Sequence, residues 1–395
     1  MPRSGLLCAA AMAALALGSC GGSDGGTTAP PTGTTPTPPP PAPPPPAPTP
    51  TTGVTSTAVA TLSNPWAMVF MPDGRLLVTE RTGNLRVVTQ AGVIGAPLVG
   101  VPSVSSAGQG GLLDVALDPA FATNNRIYIS YSEPGTGGTA GTAVARATLV
   151  IGADGAGRLD GLNVIWRQAP KVTDTRHYGG RIAIGPDNRI YITAGERHQG
   201  APAQDLSVTL GKIVRLELDG SIPLSNPFVG RLGAQEEIWT LGHRNPYGLV
   251  FGTNGTLYES EMGPDAGDEF NIITRGSDYG WRTVSEGSDG GVALPKHSTR
   301  PDFAAPAKFW DPNIAPAGMI QYTGTRFVDW NGDFVLAGLV SQGLVQVRVS
   351  GTTATEVRRI ALGQRIREVE QGPDGAIWVL EDGTAGRLLK LVPAT

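Results

Sequence analysis

Short apolar segments alternate with turns along the chain from Val54 onward, and one pattern returns six times. Each unit has a short apolar strand, a turn in which Asp or Asn lies beside Gly or Asn, and a strand of alternating side chains. Such turns suit tight hairpins, because Gly and Asn tolerate positive φ. The alternation predicts half-buried strands, as in residues 189–192. The units begin at Met68, Val115, Ile182, Leu249, Phe327 and Val369.

The spacing of these units predicts the architecture. Six hairpins over about 340 residues give roughly 40 to 70 residues per unit, which suits the blades of a β-propeller with insertions. A large β-sandwich is the alternative, but it would not repeat one hairpin signature six times. We therefore predict an all-β fold, a six-bladed β-propeller over residues 54–395. The strand near residues 54–62 is expected to join the last blade and close the ring.

The first 53 residues have a different composition. Residues 1–19 are predicted to be a lipoprotein signal peptide, since Arg3 is the only charge before an apolar run that ends in "LGSC", which resembles the bacterial lipobox. Cys20 would then carry lipid; ordinary cleavage with Cys20 incidental is the alternative. Residues 20–53, rich in Pro, Thr and Gly, are predicted to be a disordered linker that acts as a stalk. A ligand for a proline-binding domain is the rival interpretation.

Localisation and partners follow from these features and from the charge. The protein is expected to be exported and lipid-anchored, facing the periplasm or cell exterior, and Gly21 in place of an aspartate favours the outer membrane. The formal net charge of -4 gives no reason to expect nucleic acid or an anionic membrane surface as a partner. Membrane contact is therefore expected only through the lipid anchor. The two cysteines leave no disulfide, since Cys8 is removed with the signal peptide.

Polar side chains and glycines cluster where predicted inner strands begin. His177 lies just before "GGRIAI", and in a propeller that position faces the mouth of the central channel. Gln109 and the pair Arg244 and Asn245 precede two further strands, although an Arg-Asn-Pro sequence can also simply stabilise a turn. A strand face with two arginines two residues apart lies near the C-terminus, at Arg365 and Arg367.

From about Asn64 to Leu391 the chain resembles the soluble quinoprotein aldose dehydrogenases, whose cofactor is pyrroloquinoline quinone (PQQ). The resemblance rests on "GQGGLL", "HYGGRIAIGPD", "GKIVRLELDGSIPLSNPF", "LGHRNPYGL", "EMGPDAGDEFNII", "SDYGW" and "RIRE". It implies oxidation of aldose sugars at C1 to lactones, with PQQ and calcium as cofactors. A small-molecule sugar is the implied substrate; the electron acceptor, a cytochrome, a quinone or a dye, stays open.

The resemblance also implies a role for individual residues. His177 matches the catalytic base, and the glycines after it would leave room for cofactor and sugar. The implied catalytic set is His177, Arg244 and Gln109. The implied cofactor-binding set is Gln109, Arg244, Asn245, Arg365 and Arg367. The implied calcium-binding set is Gly263 and Pro264 for the ion beside the quinone, and Glu269 and Tyr279 for a second, structural ion. The implied substrate contacts are Asp268, Trp310 and Glu196.

Two positions depart from the family pattern, and two other functions stay open. Ser341 stands where a cofactor-binding lysine is expected, and Glu196 replaces an expected aspartate. Ser341 favours a membrane-tethered propeller that has lost its cofactor and acts as a binding module. A calcium-dependent lactonase is the other alternative, but it needs carboxylates and amides around a central calcium, whereas Arg365 and Arg367 suit the planar carboxylates of PQQ.

Overall fold

The computed structural model describes residues 53–152 and 156–394. The predicted signal peptide, Cys20 and all but the last residue of the predicted linker lie outside these residues. Apart from one two-stranded hairpin, the described strands form six sheets of three or four strands each. The innermost strands of the six sheets contact one another in cyclic order. The predicted six-bladed β-propeller is confirmed.

The strands lie along the chain as follows. The first twelve are β1 (Val54–Leu62), β2 (Pro65–Phe70), β3 (Leu76–Glu80), β4 (Asn84–Val88), β5 (Leu112–Leu117), β6 (Arg126–Pro134), β7 (Ala140–Ile151), β8 (Gly157–Arg167), β9 (Gly179–Ile184), β10 (Arg189–Ala194), β11 (Lys212–Glu217) and β12 (Ile238–Leu241). The others are β13 (Pro246–Phe251), β14 (Leu257–Glu261), β15 (Asp268–Ile273), β16 (Ser288–Asp289), β17 (Val292–Ala293), β18 (Lys308–Trp310), β19 (Pro316–Gln321), β20 (Phe334–Gly338), β21 (Gly343–Ser350), β22 (Thr353–Ala361), β23 (Ile366–Gln371), β24 (Ile377–Glu381) and β25 (Gly386–Pro393).

Helices are short and few in the described part of the chain. They comprise the single α-helical turn α1 (Phe121–Asn124) and the 3₁₀ segments Thr136–Gly138, Ala201–Gln204, His297–Thr299 and Val328–Trp330. None of the described helices has the length and apolar character needed to cross a membrane.

Each blade is an antiparallel sheet, and its strands are named from the channel outward. Blade 1 is β2-β3-β4, blade 2 is β5-β6-β7-β8 and blade 3 is β9-β10-β11-β12. Blade 4 is β13-β14-β15-β18, blade 5 is β19-β20-β21-β22 and blade 6 is β23-β24-β25-β1. Strand β1 pairs with β25 from Val54 opposite Pro393 to Leu62 opposite Gly386, as the sequence predicted. The N-terminal strand β1 is therefore the fourth strand of blade 6, and it closes the ring by joining the two ends of the chain.

Stacking of the blades explains a burial pattern that the alternation did not predict. Residues 189–192 were expected to form a half-buried strand, but both faces of β10 are covered. Ile190 and Ile192 pack against blade 2, and Tyr191 packs on the opposite side with Leu249 of blade 4. An alternating aliphatic and aromatic pattern therefore marks a strand between two apolar layers in this fold.

The fifth blade begins earlier in the chain than the sequence pattern predicted. The segment from Phe327 was predicted to start with a strand, but Val328–Trp330 is a 3₁₀ turn. The innermost strand of blade 5 is β19, ahead of it. Phe327 and Trp330 pack with ring centroids 4.6 Å apart, and Tyr322 Oη accepts a hydrogen bond from Phe327 N at 3.1 Å. These apolar side chains stabilise a compact turn rather than a strand.

Candidate active site

His177 lies between β8 and β9, at the start of blade 3. Its backbone is left-handed, with φ of 51°, and its N–H donates to Gln109 Oε1 at 2.7 Å. The imidazole is buried, and its Nδ1 lies 2.5 Å from Glu196 Oε1. Burial lowers the pKa of His177, and the nearby charge of Arg244 lowers it further, although the Glu196 carboxylate opposes both. The ring is therefore neutral near neutral pH, with Nδ1–H held by Glu196 and the Nε2 lone pair free to take a proton.

Glu196 has a fully buried carboxylate that accepts hydrogen bonds from two donors. Its Oε1 faces His177 and its Oε2 accepts the backbone N–H of Gly200 at 2.5 Å. Burial acts to raise the pKa of Glu196, but the hydrogen bonds from His177 and Gly200 outweigh it and lower that pKa. The sequence assigned Glu196 to the substrate; in the structure its carboxylate contacts the imidazole of His177 and restricts the orientation of that ring.

Gln109 connects blade 2 to this pair. Its backbone N–H donates to Thr175 O at 2.8 Å, while its side-chain oxygen holds the backbone of His177. Gln109 also lines one of the cavities near the channel mouth. It therefore joins His177 to the wall of this cavity, and it supports the strained backbone of His177.

The glycines that follow His177 have a different role from the one predicted. Gly179 and Gly180 have φ of 63° and 96°, which favours glycine. A Cβ on Gly180 would lie 2.6 Å from Leu113 Cδ1, and one on Gly179 would lie 2.8 Å from Gly195 N. The space beside these glycines is filled by neighbouring strands, so they permit a close turn rather than leave room for a ligand.

Arg244 and Asn245 precede β13 of blade 4 and lie beside the His177 loop. The carbonyl of Arg244 accepts the N–H of Glu196 at 2.9 Å, and Asn245 Oδ1 accepts the N–H of Gly179 at 3.3 Å. The Arg244 guanidinium donates to Met262 O at 3.0 Å and lies 5.3 Å from the centre of the Trp281 ring. Its Nε is buried and has no hydrogen-bond partner among the described residues. A buried N–H group without a protein partner is a donor available to a ligand.

Arg365 and Arg367 meet at one carboxylate. Arg365 Nε donates to Asp382 Oδ2 at 2.9 Å, and Arg367 Nη2 donates to Asp382 Oδ1 at 2.9 Å. Both arginines line a cavity of about 370 Å³ at the channel mouth. Trp66 and Tyr247 also line it, with their rings edge to face at 5.7 Å. Two guanidinium groups share a single negative charge here, which favours an anionic ligand with an aromatic body.

The loop after β14 carries the predicted calcium ligands. Gly263, Pro264, Glu269 and Tyr279 all line one small cavity next to Arg244. Gly263 N donates to Asp268 Oδ1 at 2.8 Å, and the carbonyl of Pro264 lies 3.4 Å from Asn313 Nδ2. Both residues line this cavity together with Arg244, and backbone carbonyls are neutral oxygen ligands of the kind that calcium accepts.

Buried acids at the second predicted ion site have too few partners. Glu259 Oε1 is buried without a hydrogen-bond partner among the described residues, and Asn271 Nδ2 is shared between Glu259 Oε2 and Glu269 Oε2. Burial raises the pKa values of Glu259 and Glu269, and the negative charge of Glu261 raises both further. Carboxylate oxygens of Glu259 and Glu261 and a nitrogen of His243 lie within 4.8 Å of one another. Such a set fits a hard cation, which would remove the repulsion.

Three further predicted residues make contacts within the protein that the sequence did not predict. The Tyr279 hydroxyl donates to Ile272 O at 2.7 Å, and the backbone carbonyl of Tyr279 lies 3.1 Å from His297 Nε2. Asp268 accepts the N–H groups of Gly263, Ile314 and Ala315, and therefore ties two loops together. Trp310 packs between blades 4 and 5 and donates to Glu356 at 2.7 Å, away from the cavities that hold the other predicted residues.

Comparison with known proteins agrees with this geometry. Residues 62–390 match the family model described as glucose/sorbosone dehydrogenase. The chain belongs to the glucose/sorbosone dehydrogenase family. Its resemblance to a sugar dehydrogenase family, inferred from motifs, is thereby confirmed. The chain is 40% identical over 339 residues to aldose sugar dehydrogenase YliI of Escherichia coli (strain K12), covering 84% of this chain and 91% of that protein.

Solved structures of related proteins share the fold over most of the chain. A crystal structure of a glucose dehydrogenase matches with a TM-score of 0.82 and 38% identity, covering 86% of this chain and 100% of the other. The PQQ-bound form of aldose sugar dehydrogenase from Streptomyces coelicolor matches with a TM-score of 0.72 and 28% identity, covering 87% and 99%.

Several residues of this glucose/sorbosone dehydrogenase site had no predicted role. Asp382 joins the two arginines, and nothing near it in sequence marks that partnership. Trp281 ends the "SDYGW" motif and lines the cavities beside Arg244, so the motif itself was the available signal. Arg181 lies below Trp66, 4.2 Å from the ring, and donates to Glu368. Trp66 lines the cavity at the channel mouth, whereas Arg181 lines a second cavity of about 260 Å³.

Proposed function

We propose that this member of the glucose/sorbosone dehydrogenase family oxidises aldose sugars at C1 to lactones, with PQQ and calcium as cofactors and His177 as general base. The observation that carries the proposal is the cavity at the channel mouth. Its lining includes Arg365, Arg367 and Gln109, and the side chain of Gln109 accepts the backbone N–H of His177. An anion site for a planar molecule thus adjoins a base oriented by a buried carboxylate.

The residues around the cavity fit PQQ. Arg365 and Arg367 would hold its carboxylates, since guanidinium forks suit planar anions. Trp66 and Tyr247 offer aromatic surface, and Arg244, with its orphaned Nε, would donate to the quinone end. Gly263 and Pro264 would supply carbonyl ligands for calcium. When bound, PQQ supplies a hydride acceptor, and the calcium ion supplies a Lewis acid beside it.

The protein's own chemistry centres on the pair His177 and Glu196. A neutral imidazole accepts the proton of the C1 hydroxyl at Nε2, while Nδ1–H stays bonded to Glu196. The carboxylate stabilises the imidazolium that forms and keeps the ring from turning. Arg244 provides positive charge near the place where negative charge grows during sugar oxidation. Positioning of His177 by Gln109 holds the base at a fixed distance from the cavity.

The second calcium ion would bind among the buried acids. Glu259 and Glu269 lie in a low-dielectric site with raised pKa values and an orphaned carboxylate oxygen. Glu261, next to them, accepts the backbone N–H groups of Arg244 at 2.5 Å and Asn245 at 3.3 Å. An ion bound by these acids would therefore also fix the backbone that presents Arg244 to the cofactor.

One observation favours the second candidate function, a tethered propeller without cofactor. Ser341, at the position where the family pattern has a lysine, carries no charge, and its Oγ is buried without a hydrogen-bond partner among the described residues. A titration of the full chain with PQQ and calcium, followed by dye reduction with a panel of aldoses, separates the two. Saturable binding with sugar-dependent reduction supports the dehydrogenase. Absence of binding at micromolar PQQ supports the binding module.

Export and anchoring at Cys20 complete the proposal. Cys20 lies outside the described residues, so the support is the lipobox-like "LGSC" and the Pro-rich segment that follows it. A lipid anchor would hold the enzyme at a membrane facing the periplasm or the cell exterior. Labelling of expressing cells with a fatty acid analogue is expected to mark the wild type and not Cys20→Ser; equal labelling of both would contradict the anchor.

A further inference from the structure

Arg81 is a third arginine on the cavity that holds Arg365 and Arg367. It follows β3 of blade 1, and it lines the same cavity as Gln109 and Asp382. No sequence motif drew attention to it, because an arginine directly after a strand is common at a protein surface. The structure brings it to the channel mouth.

The guanidinium of Arg81 is held by neutral groups. Its Nε donates to Gly110 O at 3.3 Å, and its Nη2 donates to Gly108 O. Among the described residues it forms no ion pair, and Nη1 donates to none of them. The carbonyl contacts fix the direction of the side chain without neutralising it. A fixed cation without a counter-ion at a cavity wall is an anion-binding element.

Charge on the cavity wall is strongly unbalanced. Arg81, Arg365 and Arg367 are cationic, and Asp382 is the single carboxylate on the cavity wall as described. The charges of Arg367 and Arg365 lower the pKa of Asp382 against the effect of its burial, so this carboxylate is ionised. Three guanidinium groups and one carboxylate leave the cavity wall with an excess of two positive charges. A ligand with one carboxylate would leave one of them unpaired, whereas a ligand with several carboxylates would pair both.

We propose that Arg81 binds a carboxylate of the quinone cofactor and forms, with Arg365 and Arg367, a three-arginine clamp. The inference rests on the proposed function, since it takes PQQ as the ligand. It also accounts for the uncharged Ser341, because a third cation reaches the cavity from blade 1 instead. PQQ has three carboxylates, so each guanidinium has an acidic group available as a partner.

The test measures the affinity of the full chain for PQQ and for its trimethyl ester, with calcium present, by calorimetry or fluorescence quenching. Arg81→Gln keeps the side chain long and removes its charge. Arg75→Gln is the matched control, because Arg75 lies in the same blade and pairs with Asp73 at 2.5 Å. We expect Arg81→Gln to weaken PQQ binding roughly 10- to 150-fold, the loss typical of a hydrogen bond to a charged group. The ester, which has no charge to pair, should bind both proteins alike.

Two results would overturn the inference. The first is PQQ affinity of Arg81→Gln within twofold of the wild type while Arg365→Gln binds weakly. The second is an equal loss for PQQ and the ester, which would mean that Arg81 only holds the Gly108–Gly110 turn. If Arg81→Gln fails to fold, Arg81→Lys carries the same comparison, since lysine lacks the planar fork. Absence of PQQ binding by the wild type would refute the proposed function itself, and this inference with it.

Discussion

Replacement of Glu196 by glutamine is the sharpest perturbation of the proposed base. Glu196 accepts two hydrogen bonds, from His177 Nδ1 at 2.5 Å and from Gly200 N at 2.5 Å. Glutamine has one oxygen and one NH₂ group, so it can satisfy only one of these donors. The other donor then faces an N–H group in a buried site. Glu196→Gln therefore removes both the charge and the geometry that orient the imidazole.

The expected magnitude follows from the lost charged hydrogen bond. Such a bond contributes about 1.5 to 3 kcal/mol, which corresponds to a fall in kcat/KM of roughly 10- to 150-fold. The pH profile should also move. Because the Glu196 carboxylate raises the pKa of His177 against the effect of burial, its removal lowers that pKa. A base must be deprotonated to act, so the acidic limb of the profile shifts to lower pH while the plateau falls.

The assay is dye reduction by the PQQ- and calcium-loaded protein across pH 5 to 9. Glu217→Gln is the control, since Glu217 lies in the same blade, pairs with Arg189 at 2.9 Å and is far from the site in the β-ladder. Glu196→Asp keeps the charge one methylene farther away and should lose less than the glutamine variant. A plateau within twofold of the wild type and an unmoved acidic limb for Glu196→Gln would refute the role of Glu196.

Three further changes test other parts of the account. Arg365→Ala combined with Arg367→Ala should weaken PQQ binding by more than tenfold in a direct titration; unchanged affinity would exclude them from the carboxylate clamp. Removal of calcium by a chelator should lower Tm more at pH 8 than at pH 5. Glu259 and Glu269 have raised pKa values in the folded protein, so the repulsion between their carboxylates grows as the pH rises through those values. A loss of Tm that does not depend on pH would contradict the cation site. Deletion of Val54–Leu62 should lower the midpoint of urea unfolding, since it exposes the edge of β25; an unchanged midpoint would show that ring closure adds no stability.

The repeat and many residues of the candidate site could be predicted from the sequence, because each depends on residues that are close together in the chain. Each hairpin has its own turn residues and apolar strand, and His177, Gln109 and Arg244 each adjoin the start of an inner strand. Pairings across blades have no such local signature. Asp382 meets Arg365 and Arg367 only because β24 ends beside the start of β23.

Contacts between distant loops and blades could not be predicted from local patterns for the same reason. Trp310 and Trp281 are both tryptophans near loops, and only packing decides which one reaches the cavities beside Arg244. Asp268 reads as a polar loop residue, yet its carboxylate holds three backbone N–H groups that come from two separate loops. Glycines after His177 suggested open space, but they mark close contact with Leu113 of the neighbouring blade.

The most direct test of the central claim is a single-turnover measurement on the PQQ- and calcium-loaded protein. Glucose is mixed with the enzyme without oxygen, and the absorbance of bound PQQ is followed in the wild type and in His177→Ala. His198→Ala is the control, because its ring lies 5.2 Å from that of His177 without contacting Glu196 in the described network. We expect His177→Ala to bind PQQ nearly as tightly as the wild type and the bound PQQ to be reduced about 10²- to 10⁴-fold more slowly. Reduction at the wild-type rate, or loss of PQQ binding in His177→Ala, would contradict this claim.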